Sequence, residues 1–289
     1  MDTGGQQGHA DHHGAHRRRG QQALYGVRKV VGSPVKAIVL AGTRAEERRF
    51  APSPLTPVAG VPSLVRVLSA LRGTEAIDGG LLAGPEKRHG QHDGTVADLL
   101  AAGDFEWTAP ASGPAESALK AVQQLDTWPI LLTTGDHALL TARTIDDFCT
   151  AAAAQGTDLT VGLAPHRVVA ERFPGLKRTR LRFADGAYCG TNLFYLHSPK
   201  AVQAIAFWAS VQANRKQPWR ILRRLGWRTL ATYACGRLSV DGALVALSRL
   251  TDCTLGWVEV KDPLAAIDVD SAADLAVAER ILQCQPRSS

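Results

Sequence analysis

Long apolar runs are missing from this sequence. None reaches the roughly 18 residues that a membrane-spanning helix needs, so a transmembrane chain is not expected. Cysteine is sparse and scattered. Cys149, Cys189, Cys235, Cys253 and Cys284 show no Cys-x-x-Cys spacing, which argues against a disulfide framework or a zinc site. Reduced thiols and a cytoplasmic location are the expectation. The N-terminus has no apolar core of the kind a secretory signal carries, so export is not expected. No internal repeat is present. Negative charge is in deficit: 33 Lys and Arg against 27 Asp and Glu give a formal charge of +6 and a pI near 9.2. That balance favours anionic partners (phosphates, nucleic acid or a lipid headgroup surface) without choosing among them. No nucleic-acid-binding module is visible, so nucleic acid is not the expected partner. What remains, 45% apolar and 21% charged residues in a chain of 289, suffices for one large α/β domain, alone or with a small insertion.

Residues 1–34 are rich in Gly, Gln, His and Arg, with too little apolar surface to offset the entropy of ordering. They read as a disordered basic tail, with metal capture by His9, Asp11, His12, His13 and His16 as the alternative. From Val35 the character changes, and 35–285 reads as the folded domain. Val35–Leu40 is a short, β-branched apolar run opening into Ala41-Gly42, the pattern of a buried parallel strand before a turn. Residues 63–72 place Leu64, Val67, Leu68 and Leu71 on one helical face, with Pro62 and Ser63 at the start. Strands are expected at 80–84, 129–134 and 158–163, and helices at 116–125 and 144–154. Strands alternating with helices of this length predict an α/β fold with a doubly wound, mostly parallel sheet. Ligands of such sheets sit beyond the carboxyl ends of the strands, so the residues following each strand are the candidates.

The turn Leu40-Ala41-Gly42-Thr43 is followed by Arg44, Arg48 and Arg49. Glycine at a strand end lets backbone N–H groups approach a phosphate, and nearby arginines neutralise it. An ordinary strand-to-helix turn is the plainer reading of the same residues. Leu55-Thr-Pro-Val-Ala-Gly60-Val-Pro-Ser-Leu64 follows. Together these stretches resemble the opening of the MobA-like NTP transferases, the family that includes molybdenum-cofactor guanylyl- and cytidylyltransferases and sugar-phosphate nucleotidyltransferases. That family opens with Leu-Ala-Gly-Gly and continues to Leu-x-Pro-Val-x-Gly-x-Pro-x-Leu. Three further stretches fall in the family's order: Gly113-Pro-Ala-Glu-Ser117, Thr133-Thr-Gly-Asp136-His-Ala-Leu-Leu140 and Ala266-Ile-Asp268-Val-Asp270-Ser-Ala-Ala-Asp274-Leu275. The resemblance implies a Rossmann-like fold of the nucleotide-diphospho-sugar transferase type, with a small basic helical insertion at about 198–240. It also implies that Leu40, Ala41, Gly42, Thr43, Gly113 and Ser117 bind nucleotide. Arg44, Arg48 and Arg49 would stabilise transition-state charge, Asp136 and Asp268 would hold Mg²⁺, and Asn192, Arg180 and Arg182 would face the acceptor. The sequence departs from the family pattern at Thr43, which replaces the second glycine. It departs again at Ser53, which stands in place of a lysine.

Several of these residues carry their own argument. A carboxylate after an apolar strand and a glycine, as at Asp136, can hold Mg²⁺ between phosphate oxygens with few protein ligands. A helix-capping role for it is less apt, because Thr141 and Thr144 are better placed. Asp268 is either the second metal carboxylate or a strand-end turn residue. Asp270 and Ser271 are expected to cap the last helix, with Asp274 in its first turn. Asn192 lies in a turn-to-strand stretch, 185–194, and serves either an acceptor or the turn itself. In 214–228, basic residues interleave with Trp219, Leu222, Leu225 and Trp227. They suit a phosphorylated, partly apolar acceptor or a membrane surface; the alternative is an amphipathic helix packed on the core. The function expected is Mg²⁺-dependent transfer of a nucleoside monophosphate, CMP or GMP, from its triphosphate to a phosphorylated small molecule or phospho-alcohol. A nucleotide-binding scaffold with weakened chemistry is the alternative that Ser53 favours.

Overall fold

The computed structural model describes residues 1, 34–43, 52–87, 90–176, 178–213 and 226–284. Expectations for the tail 2–33, for Arg44, Arg48 and Arg49, and for 214–225 lie outside the described residues.

The first strand, β1 (Val35–Leu40), is buried at five of its six positions and sits mid-sheet. The strands that follow are β2 (Pro57–Val58), β3 (Val61–Pro62), β4 (Ile77–Ala83), β5 (Phe105–Thr108), β6 (Ile130–Thr134), β7 (Leu159–Pro165), β8 (Leu181–Phe183), β9 (Gly186–Leu196) and β10 (Leu255–Glu259). The main sheet runs β10-β7-β9-β6-β1-β4-β5, with β8 hung on β9; β2 and β3 form a separate two-stranded ribbon. Along that path only β9 runs antiparallel to its neighbours. The sheet is therefore mostly parallel, as expected.

Alternation along β1 decides which helices cover which face. Ala37 and Val39 point into the core formed with α1 (Ser63–Arg72), α2 (Gly94–Ala101) and α4 (Ala142–Ala153). Ile38 and Leu40 point into the core formed with α3 (Pro114–Leu125) and α6 (Ala201–Ala213). Helix α1 begins and ends where the sequence periodicity places it, and Leu64, Val67, Leu68 and Leu71 are all fully buried. Truncating Leu64, Leu68 or Leu71 to Ala would cost about 2–5 kcal/mol. A third cluster packs α5 (His166–Arg172) and α9 (Ala272–Cys284) against the 138–139 loop, Val58 and the segment 266–269. Among the described residues the remaining helices are α7 (Trp227–Ala234), α8 (Val240–Thr251) and a 3-10 turn at Pro263–Ala266.

Pro62 and Ser63 stand at the start of α1 as expected, Pro62 in the capping position and Ser63 as the first helical residue with its hydroxyl buried. One alternative does not hold: Trp227 is 74% exposed rather than packed on the core, and α7 buries no residue at all. Among the described residues no helix is long and apolar enough to cross a membrane.

Parallel pairing aligns the strand ends that matter. Leu40 is level with Ala83 on one side and Thr134 on the other, and Ala83 is level with Thr108. The residues after β1, β4, β5 and β6 thus emerge along one edge.

Candidate active site

The turn after β1 is held from both sides. Ala41 donates to the Ala83 carbonyl at 2.9 Å, and Gly135 donates to the Leu40 carbonyl at 2.8 Å. Gly84 sits at φ +94°, and a Cβ there would lie 2.7 Å from the Gly42 nitrogen. A Cβ on Gly42 would lie 2.9 Å from the Pro110 side chain. Two glycines are therefore what let the ends of β1 and β4 touch beneath Pro110. Among the described residues, the N–H groups of Gly42 and Thr43 have no acceptor. A phosphate-binding turn needs such free donors.

The segment before α3 is braced rather than open. Ser117 accepts from the Ala111 N–H at 2.9 Å, and Lys120 donates to the Ala109 carbonyl at 2.8 Å. Gln212 of α6 accepts from the Ala115 N–H at 3.0 Å, close against Gly113. Ser117 is buried, and by this bond it shapes the 109–113 loop. Gln212 went unnoticed in the sequence, since a contact 97 residues away leaves no local signal.

Asp136 follows β6 directly beside the β1 turn. The Thr134 hydroxyl donates to its Oδ1 at 2.5 Å, and its own carbonyl accepts from Val269 at 3.0 Å. That second bond docks the closing segment, and with it Asp268, onto Asp136. Burial pushes the Asp136 carboxyl up to about 7, against the pull of Thr134 and with added repulsion from Asp268 and Asp270. Burial likewise pushes His137, 1% exposed, down to about 4, which keeps it neutral beside this acidic group.

Asp268 is engaged at both oxygens. Arg178 pairs with Oδ1 and Asn192 donates to Oδ2 at 3.1 Å. Asn192 reaches it because β9 is irregular there. Its pairing with β7 shifts between Val161 and Leu163, and Asn192 adopts φ +52°, which Asn tolerates better than most residues. Asn192 thus contacts the second carboxylate rather than pointing to an acceptor alone. Arg180 and Arg182 are exposed at β8, on the edge of the sheet. At the last helix, Ser271 accepts from the Asp274 N–H at 3.2 Å and donates to Asp274 Oδ2 at 2.6 Å, so Ser271 is the capping residue of the pair expected.

The donor set suits Mg²⁺, a hard cation that keeps few protein ligands and takes the rest from phosphates and water. Asp136 is a half-buried carboxylate with no cationic partner among the described residues, next to further carboxylates that a divalent ion would relieve. No group of three or more such ligands occurs among the described residues. That is compatible with an ion held by one or two carboxylates and completed by a triphosphate.

Comparison with known proteins adds to this geometry. A solved hypothetical transferase from Thermus thermophilus is 26% identical, with a TM-score of 0.69 over 84% of this chain and 99% of that one. A 4-diphosphocytidyl-2C-methyl-D-erythritol synthase from Anaerococcus prevotii (13% identical, TM-score 0.51, 86% of this chain and 96% of that one) shares the fold. So does a CMP:2-keto-3-deoxy-manno-octonic acid synthetase solved with CTP (9% identical, TM-score 0.52, 86% and 98%). A search of curated proteins finds no match. The model of the MobA-like NTP transferase domain matches residues 37–229, two thirds of the sequence and most of the elements that carry the site. With that match the chain belongs to the MobA-like NTP transferase family, and it is a nucleotidyltransferase.

Proposed function

We propose that this protein transfers CMP or GMP from the nucleoside triphosphate to a phosphorylated small molecule or phospho-alcohol. The observation that carries the reading is the apposition of the Ala41–Gly42 turn and Asp136 across the Gly135-to-Leu40 hydrogen bond of 2.8 Å. Backbone donors without an acceptor among the described residues and a metal-competent carboxylate there flank the same space, as triphosphate chemistry requires. The N–H groups of Gly42 and Thr43 bind phosphate oxygens. Asp136 and Asp268 hold Mg²⁺, which when bound neutralises the triphosphate and polarises the reacting phosphorus. The loop 109–113, held by Ser117, Lys120 and Gln212, borders the base. Arg44, Arg48 and Arg49 supply further positive charge, and Arg180 and Arg182 attract the acceptor. A phosphate oxygen of the acceptor attacks the α-phosphorus in line, the bond to the β-phosphate breaks, and pyrophosphate leaves. No protein nucleophile takes part. Residues 35–285 form the catalytic unit, residues 1–34 a basic tail outside it, and the five free thiols suit a cytoplasmic setting. Exposed Trp227 and Tyr233, with Arg228 stacked 5.5 Å from the Trp227 ring, favour an acceptor whose phosphate is joined to an apolar group, or a membrane surface presenting it.

A second reading, nucleotide binding with little turnover, is favoured by Ser53, whose hydroxyl accepts from the Leu55 N–H at 3.3 Å in a local turn. The deciding experiment is thermal unfolding of wild type and Asp136→Ala with each of CTP, GTP, UTP and ATP plus Mg²⁺, followed by pyrophosphate release with phosphorylated acceptors. At about 100 times its dissociation constant a true ligand adds roughly 2.7 kcal/mol to wild-type stability. The expected outcome is stabilisation by CTP or GTP that Asp136→Ala loses. Stabilisation without pyrophosphate release from any acceptor selects the second reading, and stabilisation by no nucleotide sinks both.

A further inference from the structure

Arg178 has no part in the transfer described above, yet among the described residues it is a heavily engaged cation near the site. Its side chain is 12% exposed. Nε donates to the Ala266 carbonyl at 2.7 Å, and Nη2 donates to the Asp268 carbonyl at 3.3 Å as well as to Asp268 Oδ1. Nη1 lies 3.5 Å from Asp274 Oδ1. One nearly buried guanidinium therefore grips the strand-end segment 266–268 and neutralises the carboxylate at its tip. Asn192 occupies the other oxygen of that carboxylate, while Asp136, bonded through its carbonyl to the adjacent Val269, has no such cation among the described residues. Of the two carboxylates assigned to the metal, one is thus charge-compensated in advance and the other is not.

We propose that Arg178 is a resident cation at Asp268 that competes with the divalent ion for this carboxylate. The proposal rests on the assignment of Asp136 and Asp268 to the metal. In the nucleotide-free protein the guanidinium holds Asp268, and an incoming ion meets one available carboxylate, Asp136, beside a fixed positive charge. Affinity for the bare ion is therefore low. A triphosphate brings the negative charge that lets Asp268 share itself between Arg178 and the ion, so metal and nucleotide load together. A guanidinium that only braced the 266–268 segment would have the opposite effect on metal binding. Its removal would loosen Asp268 and weaken the ion.

The test is Mn²⁺ binding to the nucleotide-free full chain, read by electron paramagnetic resonance of the free ion, for wild type, Arg178→Gln, Arg178→Lys and Asp136→Ala. Arg178→Gln is expected to bind Mn²⁺ tighter, on the order of tenfold, the size by which one neighbouring charge displaces a binding equilibrium. Arg178→Lys, which keeps the charge, is expected to stay near wild type. Binding by Arg178→Gln that is equal or weaker, while Asp136→Ala abolishes it, overturns the proposal and leaves the metal assignment standing. Binding that Asp136→Ala leaves unchanged overturns the metal assignment itself. Should Arg178→Gln fail to fold, the wild-type Arg178 Nε–H resonance, identified by its loss in Arg178→Lys, answers the same question. It is expected to move as Mg²⁺ alone is titrated to millimolar concentration and further when triphosphate is added. A resonance that saturating Mg²⁺ and triphosphate leave in place overturns the competition.

Discussion

Ser53 stands where the resemblance to the family leads one to expect a lysine, and its surroundings give the serine a use. Its N–H donates to Thr56 Oγ1 at 2.8 Å, its carbonyl accepts from the Thr56 N–H at 2.8 Å, and its hydroxyl accepts from Leu55. This turn lies against the site: Pro54 would meet a Cβ on Gly135 at 3.3 Å, one residue before Asp136. A lysine at 53 would therefore bring a cation to the triphosphate edge, at the loss of a partly exposed hydroxyl bond worth about 1 kcal/mol. Ser53→Lys is expected to raise the rate of pyrophosphate release about tenfold or more while leaving nucleotide affinity nearly unchanged, because a charge aimed at the transition state acts on turnover. Steady-state kinetics decides it. A flat turnover number assigns the missing charge to Arg44, Arg48 or Arg49.

At the scale of elements, the Arg72–Asp104 contact ties the end of α1 to the start of β5. Arg72 donates to both carboxylate oxygens of Asp104 at 2.7 Å and to the Leu99 carbonyl at 2.8 Å. The paired guanidinium holds the Asp104 carboxyl below its ordinary value. A depressed carboxyl contributes stability that is present above its unfolded value, near 3.8, and is lost as pH falls through the lower folded value. Both side chains are about a third exposed, so solvent screening keeps the contribution small. Asp104→Asn is expected to cost about 1 kcal/mol in urea unfolding at pH 7, with the difference shrinking below pH 4. A cost that persists undiminished at pH 3 would assign it to packing instead. The elements themselves were unevenly legible in the sequence. β1, β6 and β7 announce themselves as apolar runs, and α1, α3 and α4 by helical spacing, because each is long enough to show its period. β5 (Phe-Glu-Trp-Thr) and β10 (Leu-Gly-Trp-Val-Glu) are edge strands without such a run: β5 has only four residues with a Glu among them, and β10, as long as β6, is interrupted by Gly256 and ends on Glu259. Gly256 in β10 sits where a Cβ would come within 2.9 Å of Thr157, a packing reason no local pattern reveals. The same limit governs the site. Asp136 is legible because it follows its strand at once, whereas the grip of Arg178 and Asn192 on Asp268 spans 90 and 76 residues and depends on a shift in the β9 register.

Over the whole molecule, three apolar clusters each contain one buried cysteine: Cys149 on the α1/α4 face, Cys253 on the α3/α6 face and Cys189 in the cluster around 266–269. Cys235 and Cys284 are exposed. Burial pushes the Cys149 thiol up to about 12 and the Cys253 thiol up to about 11, so protection combines lack of access with lack of thiolate. An aromatic disulfide reagent at pH 8 is therefore expected to label two thiols quickly and the other three only on opening of the fold. Because the first two clusters share the strands of one sheet, Cys149 and Cys253 should become reactive together at the denaturant midpoint. Cys189 is the informative one. Its cluster packs Ile267 and Val269, on either side of Asp268, against Ala164 of β7 and Cys189 of β9 and includes no residue of β1, β4 or β6, and so can open by itself. If labelling resolved by mass spectrometry finds Cys189 reacting with the other two, site and scaffold unfold as one unit, and nucleotide with Mg²⁺ should protect all three equally. If Cys189 reacts first and ligand protects it selectively, the segment bearing Asp268 is a separately opening part of the molecule that ligand binding closes.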